Sequence, residues 1–169
     1  MSILKVPHQV EHIDWIKWRP VDEATLIFVI QKNRILLIRK KRGLGAGKIN
    51  GPGGRLESGE TPDDCVVREL YEELGITPVK PVKLGEHRFQ FLDGYSIYVH
   101  VYRASIFTGT PIETDEAIPM WFAIDAIPFT EMWEDDRLWL PLLLEGKTFS
   151  GYWIFEDDRM VDHRLVTPR

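Results

Sequence analysis

The chain is poor in cysteine: Cys65 stands alone among 169 residues. An intramolecular disulfide is therefore excluded, and packing must hold the fold, as is usual in a reducing compartment. Long apolar runs are also lacking. None approaches the ~20 residues that a membrane-spanning helix needs, and the early apolar residues are interrupted by His8, Glu11, Asp14 and Lys17. No basic-then-apolar leader pattern stands at the front. Positive charge is in deficit too: 21 Lys and Arg against 26 Asp and Glu, a formal net charge of −5. A nucleic-acid polymer as the main partner would need basic stripes instead. Internal repeats and low-complexity segments are absent. The expectation is a soluble cytoplasmic protein that takes a small molecule, with neither nucleic acid nor membrane as partner. A nucleotide stays admissible, because metal ions screen a triphosphate.

What is present is enough for one domain with a real core: 44% of residues are hydrophobic, and there are 6 Trp, 5 Tyr and 8 Phe. Most of these aromatics should be core, with a few left to line a pocket for a flat ligand. Residues 1–22 read as an appendage, followed by a domain over 23–169. Trp15, Ile16 and Trp18 can pack on the body or on a second chain, so a monomer and a homodimer both remain open. Apolar runs predict strands at 25–30 and 35–38 across a turn at 31–34. Residues 39–54, Gly-rich and basic, read as a loop. Two long strands are expected at 79–92 and 95–107, joined at Asp93-Gly94, a hairpin signal. A short strand at 119–123, a helix over 138–145 and a final hairpin of 152–155 with 160–166 complete the pattern. Composition and order give α/β or α+β.

The densest stretch runs from Gly54 to Ile76. Thr61 suits an N-cap, Pro62 the first helical position, Asp63 and Asp64 the positive helix end, and Gly75 the stop. These signals predict a helix over 62–74, with Val67, Leu70 and Leu74 as its apolar side. At about 100° per residue, Glu69, Glu72 and Glu73 fall on one face. Like charges three or four apart destabilise a helix. A cation among them reverses that cost, and hard oxygen ligands without Cys or His favour magnesium or manganese. The alternative is a solvated acidic face. Gly51 to Gly54 speak against it, since they form a backbone suited to close approach. Cys65 lies near the helix start, where thiol acidity can rise, but it reads as a packed structural residue.

In order, the chain shows Gly54, five residues, Glu60, seven residues, then Arg68-Glu-Leu-Tyr-Glu-Glu-Leu-Gly-Ile76. This resembles the Nudix box. The resemblance implies the Nudix fold, a mixed β-sheet sandwiched between α-helices, and hydrolysis of a nucleoside diphosphate derivative with Mg2+ or Mn2+. It implies Glu69, Glu72 and Glu73 as the ligand set, the Gly53 carbonyl as a further ligand, and Glu69 or Glu73 as base towards water. Arg68 would fix the glutamates by ion pairing, and Glu60 would support the loop. Glu116, otherwise an ordinary loop acid, would reach back to the metals.

The match narrows through Lys40 to Asn50, Gly109 to Glu113, Asp115-Glu116 with Pro119 and Trp121-Phe122, and Ile127 to Tyr152. These segments resemble the oxidised-purine nucleoside triphosphate hydrolases, 8-oxo-dGTP diphosphatases of the animal MutT-homologue type, over about residues 24–166. The resemblance implies a substrate site of Lys40, Asn50, Trp133, Asp135 and Asp136. Phe89, Phe91 and Ile97 would line it or else pack the strand core. An indole stacks on a purine, and adjacent carboxyls in an apolar pocket resist double ionisation, so one can donate while the other accepts. Such a pair could read 8-oxo-dGTP and 2-hydroxy-dATP. Leu44, Ile49 and Pro52 stand where the family has aromatic residues. Rival readings are hydrolysis of ordinary dNTPs, ADP-ribose or a capped nucleotide, a non-catalytic Nudix binding module, and a structural metal-binding protein.

Overall fold

The computed structural model describes residues 5–168; residues 1–4 of the expected appendage and Arg169 lie outside the described residues. A first hairpin organises the sheet. Strands β1 (Asp22–Gln31) and β2 (Arg34–Lys40) are joined at Lys32 and Asn33, with φ of 49° and 61°. Two positive φ values give the tight turn whose twist matches that of the strands. There follow β3 (Ile49–Asn50), β4 (Gly53–Arg55), α1 (Pro62–Leu74), β5 (Thr77–Val79), β6 (Val82–Phe91), β7 (Ser96–Ala104), β8 (Ile106–Thr108) and β9 (Ala117–Ala123). The chain ends with α2 (Asp136–Leu144), β10 (Phe149–Glu156) and β11 (Arg159–Val166). One-turn helices lie at Val10–His12 and Phe129–Glu131.

The main sheet runs β11-β10-β6-β7-β1-β2-β3, with β4 paired to β1 and β9 to β2. It is mixed: β1 with β7 and β10 with β6 are parallel, the other pairs antiparallel. Strand alternation gives the sheet two apolar faces. On one, Ile27, Val29, Leu36 and Ile38 pack with Val66, Leu70 and Leu74 of α1. On the other, Phe28, Ile35 and Leu37 pack with Trp139, Leu140 and Leu143 of α2. The sheet is thus sandwiched between helices, as expected. Each fully buried Leu or Val contributes roughly 1.5–3 kcal/mol.

Three expectations are corrected. The segment 39–54 is not all loop: β3 pairs with β2, and β4 with β1. Two or three paired residues are too few to show a period. The two long strands are broken. Lys80 has a φ of 48° and Pro81 follows, so β5 separates from β6, and β5 pairs with β8 in a sheet of its own. On α1, Val67 is exposed and Val66 is buried in its place. The spacing 66, 70, 74 is the true i, i+4 stripe.

The N-terminal segment lies against the sheet. Trp15 meets Tyr152 at 5.0 Å, and the Trp18 indole donates to Gln90. Ile16 is exposed.

Candidate active site

Helix α1 is delivered as its sequence signals predict. The Thr61 hydroxyl accepts from Asp64 N at 3.2 Å, Pro62 opens the helix, and Gly75 closes it at φ 74°. The three glutamates span an arc of about 100°, and their burial falls along it. Glu73 faces the sheet and is 4% exposed, Glu69 is half-buried, and Glu72 is exposed. At Gly54, a Cβ would stand 2.3 Å from the Glu69 carboxyl carbon. A side chain there would push the Glu69 carboxylate aside.

Glu69, Glu73 and Glu116 offer oxygens that all lie within 4.8 Å of one another. Glu116 reaches them from a distant loop that is pinned to the end of α1. Ile112 N donates to Leu74 O, the Thr114 hydroxyl to Glu73 O at 2.7 Å, and Glu116 N to the Thr114 hydroxyl. Glu72 is not brought into this cluster; it pairs with Arg68 at 3.1 Å. Gly53 enters through its N–H, which donates to Glu73 Oε1 at 3.1 Å. Burial pushes the Glu73 carboxyl up to about 8 and also raises Glu69.

Arg68 ties the periphery. Its guanidinium holds Glu60 through two bonds of 2.7 and 2.8 Å, and reaches Glu69 at 2.7 Å and the Arg55 carbonyl at 3.0 Å. That grip keeps the Glu60 carboxyl well below its usual range, and Glu60 Oε1 also accepts from Glu57 N. Glu60 thus belongs to the loop, off the acid cluster. Cys65 is fully buried, and burial pushes its thiol up to about 11. Its place near a helix start does not make it acidic, because desolvation outweighs the helix dipole.

A cavity of about 450 Å3 runs from this cluster into the sheet. At the acidic end it is lined by Glu73, Gly54, Lys40 and Arg55, and at the far end by Asn50, Phe89, Ile97, Trp133, Asp135 and Asp136. Burial lowers the Lys40 ammonium. Asp135 and Asp136 are buried to 2% and 6% exposure. Asp136 opens α2, where the helix dipole favours an ionised acid by at most ~2 kcal/mol. Burial wins, and both carboxyls are raised above their ordinary range, Asp136 further by the neighbouring Asp135. The Trp139 indole donates to Asp135 Oδ2 at 2.7 Å. Among the described residues, Asp135 Oδ1 and Asn50 Nδ2 are buried without a partner. Each such atom costs about 1–3 kcal/mol until something pairs with it.

All the residues expected at the substrate end line this one cavity. Phe91 does as well, and so does Leu44, whereas Ile49 packs in the core. Sequence reasoning passed over Tyr95, Val99, Arg42 and Arg55, which also line it. Tyr95 and Val99 were within reach, since they flank Ile97 at a spacing of two on the same strand face. Arg42 and Arg55 carry no local signal beyond their charge.

The NUDIX domain family matches residues 20–143, and the chain belongs to it. Over 143 residues the chain is 48% identical to the oxidized purine nucleoside triphosphate hydrolase of Danio rerio and 45% identical to that of Mus musculus; each match spans 83% of this chain and 92% of the relative. A MutT protein from Bacillus halodurans, known from its crystal structure, shares the fold with a TM-score of 0.78 at 24% identity, over 86% of this chain and 97% of that one.

Proposed function

We propose that this protein hydrolyses oxidised purine nucleoside triphosphates, such as 8-oxo-dGTP and 2-hydroxy-dATP, to the monophosphate and pyrophosphate. In the cytoplasm it would thereby clear damaged precursors from the nucleotide pool and prevent DNA damage. The observation that carries this reading is the cavity's far end, where a donor on Asn50 and an acceptor on Asp135 lie buried and unpaired beside Trp133. A purine edge satisfies both. The names of the Danio and Mus relatives agree with it.

The acidic end fits a divalent cation. Three carboxylates within 4.8 Å, two of them raised by burial, are relieved by positive charge, and an all-oxygen donor set suits Mg2+ or Mn2+. Glu69, Glu73 and Glu116 would hold it, with the Gly53 carbonyl a further candidate ligand. When bound, the ion screens the triphosphate and lowers the pKa of water. The chain supplies the rest. Glu69 or Glu73 accepts the proton of the attacking water, and Lys40 meets the phosphates. Arg68 keeps Glu69 and Glu72 in place, with Glu72 outside the ligand set.

At the base end, Trp133 offers an indole face for stacking. Of the Asp135–Asp136 pair, the neutral carboxyl donates to an exocyclic oxygen and the ionised one accepts a ring N–H. The test is product analysis with 8-oxo-dGTP. Nucleoside monophosphate and pyrophosphate in equal amounts, lost with chelator and restored by Mg2+, support the proposal; release of inorganic phosphate or turnover without divalent ion contradicts it.

A further inference from the structure

The N-terminal segment crosses the back of the strands whose front forms the far end of the cavity. We propose that residues 10–21 are a strap that sets this base-facing wall from behind, with Trp18 and Gln90 as its positioning residues. The proposal rests on the reading of the cavity as a base pocket.

Strand alternation separates the two faces. Phe89, Phe91, Ile97 and Val99 face the cavity; Gln90 and Ser96 therefore face away. The register places Ser96, Gln90, Ile154 and Asp162 in one row across β7, β6, β10 and β11. The strap follows that row. Val10 N donates to Asp162 Oδ2 at 2.7 Å, the Trp18 indole to Gln90 Oε1 at 2.8 Å, and Val21 N to the Ser96 hydroxyl at 3.1 Å. Between these points Trp15 packs edge-on against Tyr152 and donates to the Val10 carbonyl. Val10 and Ile154 are buried.

Gln90 carries the contact to the other face. Its Oε1 accepts from the strap. Its Nε2 donates to the carbonyls of Phe91 at 2.9 Å and Tyr95 at 3.2 Å. Those two residues bound the β6–β7 turn, and both line the cavity. The Phe91 ring stands edge-on to Trp133 at 6.1 Å. Immediately after the strap, Asp22 Oδ2 accepts from the Tyr95 hydroxyl at 2.8 Å. A continuous set of hydrogen bonds thus links Trp18 to the aromatic wall beside Trp133. Val10 to Arg19 precede the NUDIX match, which begins at residue 20, so the family model does not account for this brace.

Trp18→Phe keeps the ring and removes the indole N–H; Gln90→Met keeps length and removes the amide. Each should raise KM for 8-oxo-dGTP by about 3- to 10-fold, the worth of a net hydrogen bond, with kcat within about twofold of the parent. The double variant should do no more than the larger single effect, because both act on one linkage. Trp133→Ala, measured alongside, separates the two readings. If it raises KM while Trp18→Phe and Gln90→Met do not, the base pocket stands and the strap is a mere cover, even where melting temperature falls. If all three leave KM unchanged, or if the parent does not turn over 8-oxo-dGTP, both readings are overturned. A loss confined to kcat also overturns the strap, since positioning of the base should appear in KM.

Discussion

The two ends of the cavity are built in opposite ways. The acidic end comes mostly from one stretch, Gly53 to Glu73, with Glu116 arriving from a distant loop and Lys40 from β2. The base end is assembled from Asn50 on β3, Phe89 on β6, Ile97 on β7 and Trp133 to Asp136 before and into α2. Both ends bury acids, but for different uses. At the first, Glu69, Glu73 and Glu116 gather carboxylate oxygens within 4.8 Å, a set proposed to hold a cation. At the second, burial raises two adjacent carboxyls, and under the proposed function they read a base edge. On the proposed function, similar residues in different surroundings would serve charge neutralisation in one case and hydrogen bonding in the other.

The comparison predicts different kinetic signatures. The largest effect belongs to the acidic end. Glu73→Gln keeps an oxygen for the Gly53 N–H but removes charge, and should cost about 10²- to 10⁴-fold in kcat with an unchanged circular dichroism spectrum. Glu69→Gln should behave alike, whereas Glu72→Gln, outside the cluster, should cost far less. Near-normal turnover by a folded Glu69→Gln/Glu73→Gln double variant removes the catalytic reading. At the base end, Trp133→Ala should raise KM about 5- to 150-fold, the worth of base–aromatic stacking, and largely spare kcat. An unchanged KM returns Trp133 to the core.

Asp135→Asn and Asp136→Asn sharpen the contrast further. Each fixes one partner of the pair as an amide and should lose one class of oxidised purine more than the other, by up to ~1–3 kcal/mol. Equal loss for all substrates, or no loss, means the pair does not read the base. The smallest effect is on stability. Because both carboxyls are raised in the folded state, the native chain holds protons that the unfolded chain releases above about pH 4. Stability of the ligand-free protein should therefore fall as pH rises through that window and on through the folded values. Asp136→Asn should flatten this slope relative to the parent in melts from about pH 4 to 8; an equally steep slope places the titration elsewhere.

Legibility in the sequence followed the same division. Helix α1 was readable to the residue because Thr61, Pro62 and Gly75 are local signals, and the Nudix box has fixed spacing. Its buried stripe was misread by one position at Val67, since two adjacent valines leave the phase open until the sheet chooses. Glu72 looked equivalent to Glu69 and Glu73, and only the arc of burial separates them. At the base end, a solvated turn would have been the plain reading of Glu134 to Asp136; the flanking resemblance, not charge pattern, pointed to a pocket. Arg42 and Arg55 were missed because nothing in their local sequence marks them beyond charge, whereas Tyr95 and Val99 were legible from their spacing about Ile97. The short strands β3 and β4 were missed because a Gly-rich run of two or three paired residues has no period to read.

The proposed division of labour has one end of the cavity neutralise phosphate and the other select an oxidised purine. It is tested most directly by kcat/KM for 8-oxo-dGTP, 2-hydroxy-dATP, dGTP and ADP-ribose under Mg2+. The oxidised purines should lead dGTP and ADP-ribose by about tenfold or more, the worth of one satisfied buried pair. Turnover of dGTP or ADP-ribose at an equal or higher kcat/KM would contradict it.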